Sequence, residues 1–255
     1  YPLVAKYLET NKKDGILYDP KSVEIITSLN YDITKAKVSM TAGLGICLRT
    51  IIIDSIAKKF IETHPDGTIV NFGCGLDTRF SRLDNEKIHW FDLDLPDTIS
   101  LRRRFFTETE RNCFIAKSVL DCSWVEDIRP GNSTLFIAEG LSYYFTESEN
   151  KALVSTIKQN SPRAEYVFDA LHPFFLKLYK RKKPDEHLSN KLAALIMWGV
   201  KHGRELEGWF DGVHFVEEWS QVNAGKDRFP IFLRLLFFMF PILTRSKNII
   251  LLRLG

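Results

Sequence analysis

The stretch IVNFGCGLDTRF, residues 69–80, places two glycines directly after a short apolar run, and Asp77 and Arg79 follow them. Glycine lacks a Cβ, so Gly73 and Gly75 predict a tight turn whose backbone a ligand can approach closely. Such loops often hold nucleotides, yet a lone G-x-G also occurs in plain strand-to-helix turns. We therefore interpret Gly73 and Gly75 as a candidate ligand loop, and Asp77 and Arg79 as residues that hold the turn.

A second apolar run, HWFDLDL at residues 89–95, contains two carboxylates near its end. Asp92 and Asp94 lie 19 and 21 residues after Gly73, close to the spacing of about 20 at which dinucleotide folds place an acid on ribose hydroxyls. Strand alternation puts both side chains on one face. Asp94 is the better ribose ligand and Asp92 fits a bond to the loop backbone, while a plain strand-end role stays open for both.

The loop departs from the dinucleotide pattern at one position. The full G-x-G-x-x-G motif seats a diphosphate at a helix N-terminus, but Thr78 stands three residues after Gly75 here. S-adenosylmethionine carries no phosphate, and it needs only the close backbone approach, a ribose acid and a counter-charge for its carboxylate. The alternative is an oxidoreductase that uses a nicotinamide dinucleotide, which explains the glycine pair and the acid but not the missing third glycine.

Short apolar runs alternate with amphipathic stretches along the chain, after a helical segment that ends before Pro65. This alternation predicts an α/β fold with a seven-stranded, mostly parallel, doubly wound sheet of the Rossmann-like type. Two intervening stretches, 97–110 and 146–160, are predicted helices. The predicted strands are residues 68–72, 88–95, 112–119, 134–140, 165–171, 213–218 and 248–254.

The composition is that of an ordinary soluble globular protein. Of 255 residues 45% are hydrophobic and 26% charged, and the net charge is +3, without the clustered basic charge of a dedicated nucleic-acid binder. The most apolar segment, residues 229–244, is too short to span a membrane and carries Arg234 and two prolines. We expect it to form a buried helix, with no membrane and no nucleic acid among the partners.

The cysteines indicate a reducing compartment. They form no C-x-x-C pair and have no histidine at metal-ligand spacing, so we expect no metal and a buried, reduced thiol at each position. A cytoplasmic location follows. The four residues are Cys47, Cys74, Cys113 and Cys122.

Four motifs together resemble the leucine carboxyl methyltransferase family, and within it the bacterial, tetracenomycin-type polyketide O-methyltransferases. They agree with the family in order and spacing between about residues 6 and 170, whereas the chain after His172 matches only loosely. The resemblance implies a class I S-adenosylmethionine-dependent methyltransferase fold. The motifs are VNFGCGLDTRF (70–80), WFDLDLPDTISLRRR (90–104), SVLDCSW (118–124) and IAEGLSYYF (137–145).

The resemblance also implies cofactor-binding roles. Lys6 and Arg49 match basic residues at the cofactor carboxylate, Gly73 the loop glycine, Asp94 the ribose acid, Leu120 and Asp121 the pair beside the adenine, and Glu139 the glutamate near the methionine end. Independently, Asp121 and Glu139 follow predicted strands at the edge where ligands bind. A carboxylate beside a sulfonium is favourable, although a structural ion pair remains open for Glu139 and, with Asp54 or Asp77, for Arg49.

The acceptor side carries weaker signals. A hydroxyl acceptor needs a general base, whereas a carboxylate does not. Tyr143 and Tyr144, after the fourth strand, and His172, after the fifth, are the candidate catalytic residues, with core packing and a capping role as the alternatives.

We expect a single domain with a helical cap (1–66), a cofactor-binding core (67–171), a helical lid-like insertion (172–208) and C-terminal strands with a helix (209–255). Within the insertion, LAALIMWGV at 192–200 is a predicted helix over the acceptor pocket, with Trp198 and Trp209 as wall or core residues. The basic residues of 177–183 fit either an acidic acceptor or a solvated helix face.

The sequence thus predicts an S-adenosylmethionine-dependent O-methyltransferase acting on a carboxylate or hydroxyl of a small, polyketide-like molecule. A protein C-terminal carboxylate is an alternative acceptor, and the nicotinamide-dependent oxidoreductase and a non-enzymatic binding domain are the rival classes. Neither the acceptor's identity nor the oligomeric state can be read from the sequence.

Overall fold

The computed structural model describes residues 1–36, 38–128, 133–181 and 195–255. Its centre is a seven-stranded sheet in the order β3-β2-β1-β4-β5-β7-β6. β7 is antiparallel to both of its neighbours, and the remaining pairs are parallel. The predicted seven-stranded, mostly parallel sheet is confirmed. The strands are β1 (Thr68–Phe72), β2 (His89–Asp94), β3 (Asn112–Ala116), β4 (Thr134–Ala138), β5 (Ala164–Leu171), β6 (Val213–Ser220) and β7 (Lys247–Leu254).

Helices cover both faces of this sheet. Short 3-10 helices, among them Cys122–Glu126, Ser142–Tyr144 and Gly203–Gly208, occupy several connections. The α-helices of the described residues are α1 (Pro2–Thr10), α2 (Pro20–Ser28), α3 (Met40–Thr63), α4 (Arg79–Leu83), α5 (Pro96–Arg102), α6 (Glu147–Asn160), α7 (Pro173–Arg181), α8 (Gln221–Ala224) and α9 (Ile231–Met239).

The alternating side chains of β1 divide between two cores. Val70 and Phe72 pack with Trp124, α6 and Trp198 on one face, whereas Ile69 packs against α3 on the other. All five β1 residues are buried, as expected for a central parallel strand covered on both faces. The chain reverses direction across the sheet between β1 and β4, and such a switch point opens a crevice at the carboxyl ends of the strands.

Helix α3 connects the sheet to the N-terminal helices. Ser39 caps its first turn by accepting a hydrogen bond from the Ala42 N–H, and it ends at Thr63, before Pro65, as predicted. By length and composition α3 is the one helix of the described residues that could cross a membrane. Half of its apolar window is buried inside the protein, and the core helix of a soluble protein passes the same test.

The helix predicted at 97–110 is shorter than expected. Helix α5 ends at Arg102, whose side chain is buried and bonds to the glycine loop. Phe106 then packs against the Arg102 guanidinium, whose central carbon lies 4.0 Å from the ring centre. The helix predicted at 146–160 is confirmed, and Thr146 with Glu149 forms its capping box.

The helix predicted at 192–200 is wrong for the described part of that stretch. Residues 196–200 form no helix, and their backbone bonds to Tyr143 and Leu171 instead. Ile196, Trp198 and Val200 are buried, whereas Leu195 and Met197 are exposed. This period of two suits an extended segment on the core rather than a helix. The rest of the stretch, 192–194, and residues 182–183 of the basic cluster lie outside the described residues.

The buried helix predicted at 229–244 is also wrong. No residue of α9 is buried. Its Leu233 and Phe237 rest partly on Leu44 and Leu48 of α3, but the opposite face has no such support, and Phe238 is 77% exposed. An apolar composition indicated burial, yet only one side of the helix meets the core.

The buried state expected for every cysteine holds for two of them. Cys47 and Cys74 are buried, whereas Cys113 is partly exposed and Cys122 is exposed. Cys122 lies in the 3-10 helix after β3, whose exposed face it shares with Asp121. Small apolar size therefore indicated burial only where the cysteine fell on a core-facing position.

Candidate cofactor site

The glycine loop after β1 turns at the switch point of the sheet. Gly73 and Gly75 have φ of +61° and +50°, a left-handed conformation that side chains with a Cβ disfavour. A Cβ at Gly73 would lie 3.1 Å from Leu141. The Gly75 N–H donates to Asp94 Oδ2 at 2.7 Å. Asp94 thus ties the loop to β2, and its carboxylate stays half-buried at the strand end.

Asp92, on β2, is connected to the same loop through the side chain of Arg102. Its carboxylate is fully buried and accepts from Arg102 Nη2 at 2.6 Å and from Asn71 Nδ2 at 2.9 Å. Arg102 in turn donates to the backbone oxygens of Gly75 and Asp77 at 3.1 and 2.8 Å. The direct bond to the loop backbone that was expected of Asp92 is made by Asp94 instead, and Asp92 reaches the loop only through Arg102.

Asp77 and Arg79 hold the turn, as predicted. Asp77 accepts from Lys6 Nζ at 2.7 Å and from Arg79 Nη1 at 2.6 Å. Arg79 is fully buried and also donates to Asp54 at 2.7 Å and to Glu139. These bonds join α1, the loop, α3 and the end of β4 in one network.

Arg49 and Glu139 lie at the centre of this network. Arg49 Nε donates to Glu139 at 3.0 Å, and its Nη1 donates to Asp169 Oδ2 at 2.8 Å. Thr50 adds a hydrogen bond to Glu139 at 3.2 Å. Asp169, on β5, is fully buried and accepts from the Gly140 N–H at 2.6 Å. The partners of Arg49 are thus Glu139 and Asp169, rather than Asp54 or Asp77.

The network keeps Glu139 and Asp77 ionised. Burial alone would raise the pKa of Glu139, but Arg49 and Arg79 outweigh it and lower that pKa to about 2. The pKa of Asp77 is likewise well below its usual value, because Arg79 and Lys6 outweigh burial. The connected groups are four cations, Lys6, Arg49, Arg79 and Arg82, and five carboxylates, Asp19, Asp54, Asp77, Glu139 and Asp169.

Two cavities meet at Gly73. The larger, about 270 Å³, lies between α1, Lys6, Arg49, the glycine loop and Glu139. The smaller, about 170 Å³, extends past Asp94 to Ser118, Val119 and Phe145. Four charged residues, Lys6, Arg49, Asp77 and Glu139, contribute to the lining of the first. The second is mostly apolar, with Asp94 and Lys117 as its charged residues, and the pair suits a ligand with a zwitterionic end and a planar, aromatic end.

The structure brings most of the predicted cofactor residues to these cavities. Lys6, Arg49, Gly73, Gly75 and Glu139 line the larger one, and Asp94 the smaller one. Leu120 and Asp121 lie just beyond Val119 on the surface. Leu120 is 39% exposed, and Asp121 caps the following 3-10 helix by accepting from the Ser123 N–H at 3.0 Å. Their predicted place beside an adenine stays a prediction.

The three predicted catalytic residues do not form one cluster. Tyr143 and Tyr144 stack edge to face, with ring centres 4.7 Å apart, and a Cβ at Gly140 would lie 3.5 Å from the Tyr143 hydroxyl and 3.3 Å from Arg49 Nη2. His172 lies elsewhere, against Phe175 and bonded through its backbone N–H to Ser246. Tyr143 therefore borders the charged network, and His172 borders the α7 side.

Sequence reasoning missed three residues of this region. Asp169 belongs to a predicted strand, and a carboxylate inside an apolar run is a signal for it. Arg102 lies inside the motif of residues 90–104, but the spacing of that motif predicts no role for it. Lys247 opens β7 where the predicted strand began one residue later, and its Nζ lies 5.5 Å from the centre of the Tyr143 ring. No local pattern marks Lys247.

The sheet order, the glycine loop with its strand-end acid and the paired cavities define a class I S-adenosylmethionine-dependent methyltransferase. Residues 4–158 match the model of the leucine carboxyl methyltransferase family. This match covers more than half of the chain, and the protein belongs to that family.

Named relatives agree with this assignment. The tetracenomycin polyketide synthesis O-methyltransferase TcmP of Streptomyces glaucescens is 28% identical over 87% of this chain and 81% of its own. The S-adenosyl-L-methionine-dependent methyltransferase dpfgK of Gibberella zeae is 26% identical over 84% and 78%. A crystal structure of a methyltransferase from Thermobifida fusca superimposes with a TM-score of 0.59 at 11% identity, over 100% of this chain and 94% of that one. The protein is an S-adenosylmethionine-dependent O-methyltransferase.

Proposed function

We propose that the protein methylates a carboxylate of a small, largely apolar molecule. A carboxylate is already the reacting nucleophile at neutral pH, whereas a hydroxyl must first lose a proton to a general base. The observation that carries the proposal is that none of the three candidate bases, Tyr143, Tyr144 and His172, is arranged to take a proton from a hydroxyl.

His172 is poorly arranged to accept a proton. The Phe174 N–H donates to its Nδ1 at 3.2 Å, so that nitrogen uses its lone pair and the neutral ring carries its proton on Nε2. Burial, with the nearby His202 and Lys201, lowers the pKa of His172 and keeps the ring neutral at neutral pH. In this tautomer Nε2 is a donor, which suits binding an acceptor oxygen rather than deprotonating one.

The two tyrosines are no better as bases. Burial is the main cause that raises the pKa of Tyr143 and of Tyr144, so both hydroxyls stay protonated at neutral pH. Tyr143, Phe175 and Ile196 form an apolar cluster against which Tyr144 and Leu243 pack. Such a cluster fits the ring system of an apolar acceptor, as in the polyketide pathway that the relative TcmP is named for.

S-adenosylmethionine, when bound, supplies a methyl group already activated by its sulfonium. The chain's own residues then have to bind, orient and exclude water. We assign Lys6, Arg49 and Glu139 to the amino-acid end, Gly73 and Gly75 to the backbone approach, and Asp94 to the ribose hydroxyls. Leu120 and Asp121 are assigned to the adenine.

The supporting observation for these assignments is that the first six residues line the two cavities that meet at Gly73. The network's five carboxylates against four cations also favour a ligand that carries a net positive charge, as S-adenosylmethionine does. We further propose a single domain with the boundaries given above and a cytoplasmic location, which the buried thiols Cys47 and Cys74 fit. Cell fractionation tests the location.

Calorimetry and product analysis test the function. We expect S-adenosylmethionine to bind and NAD to show no binding. With methyl-labelled cofactor and aromatic acids or matched phenols as acceptors, mass spectrometry should find base-labile methyl esters from the acids. Methyl ethers alone would overturn the carboxylate assignment and leave O-methyl transfer standing. Ester formation only on a peptide C-terminus would favour the protein acceptor, the second candidate.

A further inference from the structure

Lys247 places an ammonium group beside the charged network. It is the first residue of β7 and pairs with Leu171 of β5 in the antiparallel ladder. Asp169 lies two residues before Leu171, so alternation puts the side chains of Asp169 and Lys247 on the same face of the sheet. This is the face on which α3 presents Arg49 to Asp169.

The ammonium of Lys247 has an unusual environment. Its Nζ lies 5.5 Å from the centre of the Tyr143 ring, and Arg49 and Asp169 are the charged groups near enough to affect it. Among the described residues Lys247 has no carboxylate within ion-pair distance. The residue is only partly buried.

Other buried cations of this region differ from Lys247 because each has a carboxylate partner. Lys6 pairs with Asp77 at 2.7 Å and Arg102 with Asp92 at 2.6 Å. Arg49 forms ion pairs with Glu139 and Asp169. A partly buried ammonium without such a partner is unfavourable, and burial, with repulsion from Arg49, lowers the pKa of Lys247. An anionic ligand would relieve this cost.

We infer that Lys247 binds the anionic group of the methyl acceptor, with the face of Tyr143 beside it, and so selects acids over neutral molecules. The inference rests on the carboxylate acceptor proposed above and assigns a residue that the family motifs do not contain. An acceptor carboxylate would supply the anionic partner that the ion-paired carboxylates of the network do not give Lys247.

The first test compares acceptor binding in the protein loaded with S-adenosylhomocysteine. The probes are benzoate, 2-naphthoate and 2-anthracenecarboxylate, each with its neutral primary amide. We expect the wild type to prefer an acid over its amide, and Lys247→Met to lose about 10- to 100-fold in affinity for that acid, the scale of a charge-assisted hydrogen bond. Lys247→Arg should keep most of the preference. Lys59→Met, an exposed lysine on α3, is the matched control.

The second test is the pH dependence of kcat/KM for the best acid. Activity should fall as pH rises through the pKa of Lys247, because the neutral amine no longer attracts the carboxylate. Lys247→Arg should move this alkaline fall to higher pH, since arginine stays protonated. The groups facing Lys247 are Arg49 of α3, Asp169 of β5 and Tyr143 after β4, and none of them changes in this variant.

The outcomes separate the two proposals. Equal affinity of every acid and its amide for the wild type would overturn the inference, as would an acid affinity unchanged in Lys247→Met. Ester formation that persists at the wild-type KM in Lys247→Met would leave the function standing and reject Lys247. A loss of cofactor affinity in Lys247→Met, with acid binding reduced only in parallel, would make the residue structural and also reject the inference.

Discussion

The two halves of the ligand-binding edge are built differently. The cofactor half comprises α1, Arg49, the glycine loop and Glu139, and ion pairs between buried groups join it. The half that we assign to the acceptor comprises Tyr143, residues 195–200 and Lys247, and apolar contacts form most of it.

This difference follows from what each half recognises. A cofactor with fixed charges can be matched by groups held rigidly in place, and the opposite charges of a buried network hold one another. An acceptor with an apolar ring system needs surface and shape, which apolar side chains provide. A single ammonium, Lys247, then supplies the charged contact in the acceptor half.

The largest expected loss of stability comes from a substitution at the centre of the cofactor half. Arg79→Leu leaves Asp54, Asp77 and Glu139 without their shared partner, and breaking a buried pair in this way costs about 3–5 kcal/mol. Urea unfolding should show the loss. Arg103→Leu, which breaks an exposed pair with Glu108, is the control and should be nearly neutral. Similar midpoints for both variants would show that the network does not stabilise the fold.

The second effect is a pH dependence of the unfolding free energy, caused by Glu139 in the cofactor half. Because the pKa of Glu139 is lowered to about 2 from 4.5, its ionisation stabilises the fold fully above about pH 4.5 and progressively less as pH falls towards 2. The contribution is about 3 kcal/mol at neutral pH. Unfolding free energies of wild type and Glu139→Gln should therefore converge as pH falls through this window. A constant difference between them would contradict the lowered pKa.

A smaller effect tests the ribose assignment. Asp94→Asn keeps the size of the side chain but removes its charge, so S-adenosylmethionine should bind about 10- to 100-fold more weakly. Asp97→Asn, an exposed acid in the first turn of α5, is the matched control. Calorimetry at one ionic strength measures both. Equal affinities of Asp94→Asn and Asp97→Asn for S-adenosylmethionine would contradict the assignment of Asp94 to the ribose hydroxyls.

The smallest effect is expected within α9, which packs on α3. Phe237 packs against Phe229 with ring centres 5.3 Å apart, whereas Phe238 is 77% exposed. Phe237→Ser should cost about 1–3 kcal/mol, and Phe238→Ser less than about 0.5 kcal/mol. Urea unfolding compares them directly. If Phe238→Ser were the more destabilising change, the exposed face of α9 would have to be covered in solution.

Much of the cofactor half could be predicted because its signals are local. The glycine pair has to follow a strand directly, and the strand-end acid has to stand about 20 residues on, so Gly73 and Asp94 mark a site without knowledge of the fold. Arg49 and Glu139 needed the family resemblance, since they lie 90 residues apart. The acceptor half has no such spacing. The helix predicted at 192–200 is wrong for the described residues 196–200, and the buried helix predicted at 229–244 is also wrong.

By itself the sequence determined the α/β class and the β1 turn, because strand periodicity and glycine stereochemistry act over a few residues. The choice of S-adenosylmethionine as cofactor depended on the resemblance of four motifs to a known family. Three features were decided by tertiary structure alone. Arg49 pairs with Asp169, residues 196–200 are extended rather than helical, and the Lys247 ammonium lies beside the Tyr143 ring. These contacts join residues far apart in the chain. Which residues meet is therefore set by the packing of helices on the sheet, which no local pattern encodes.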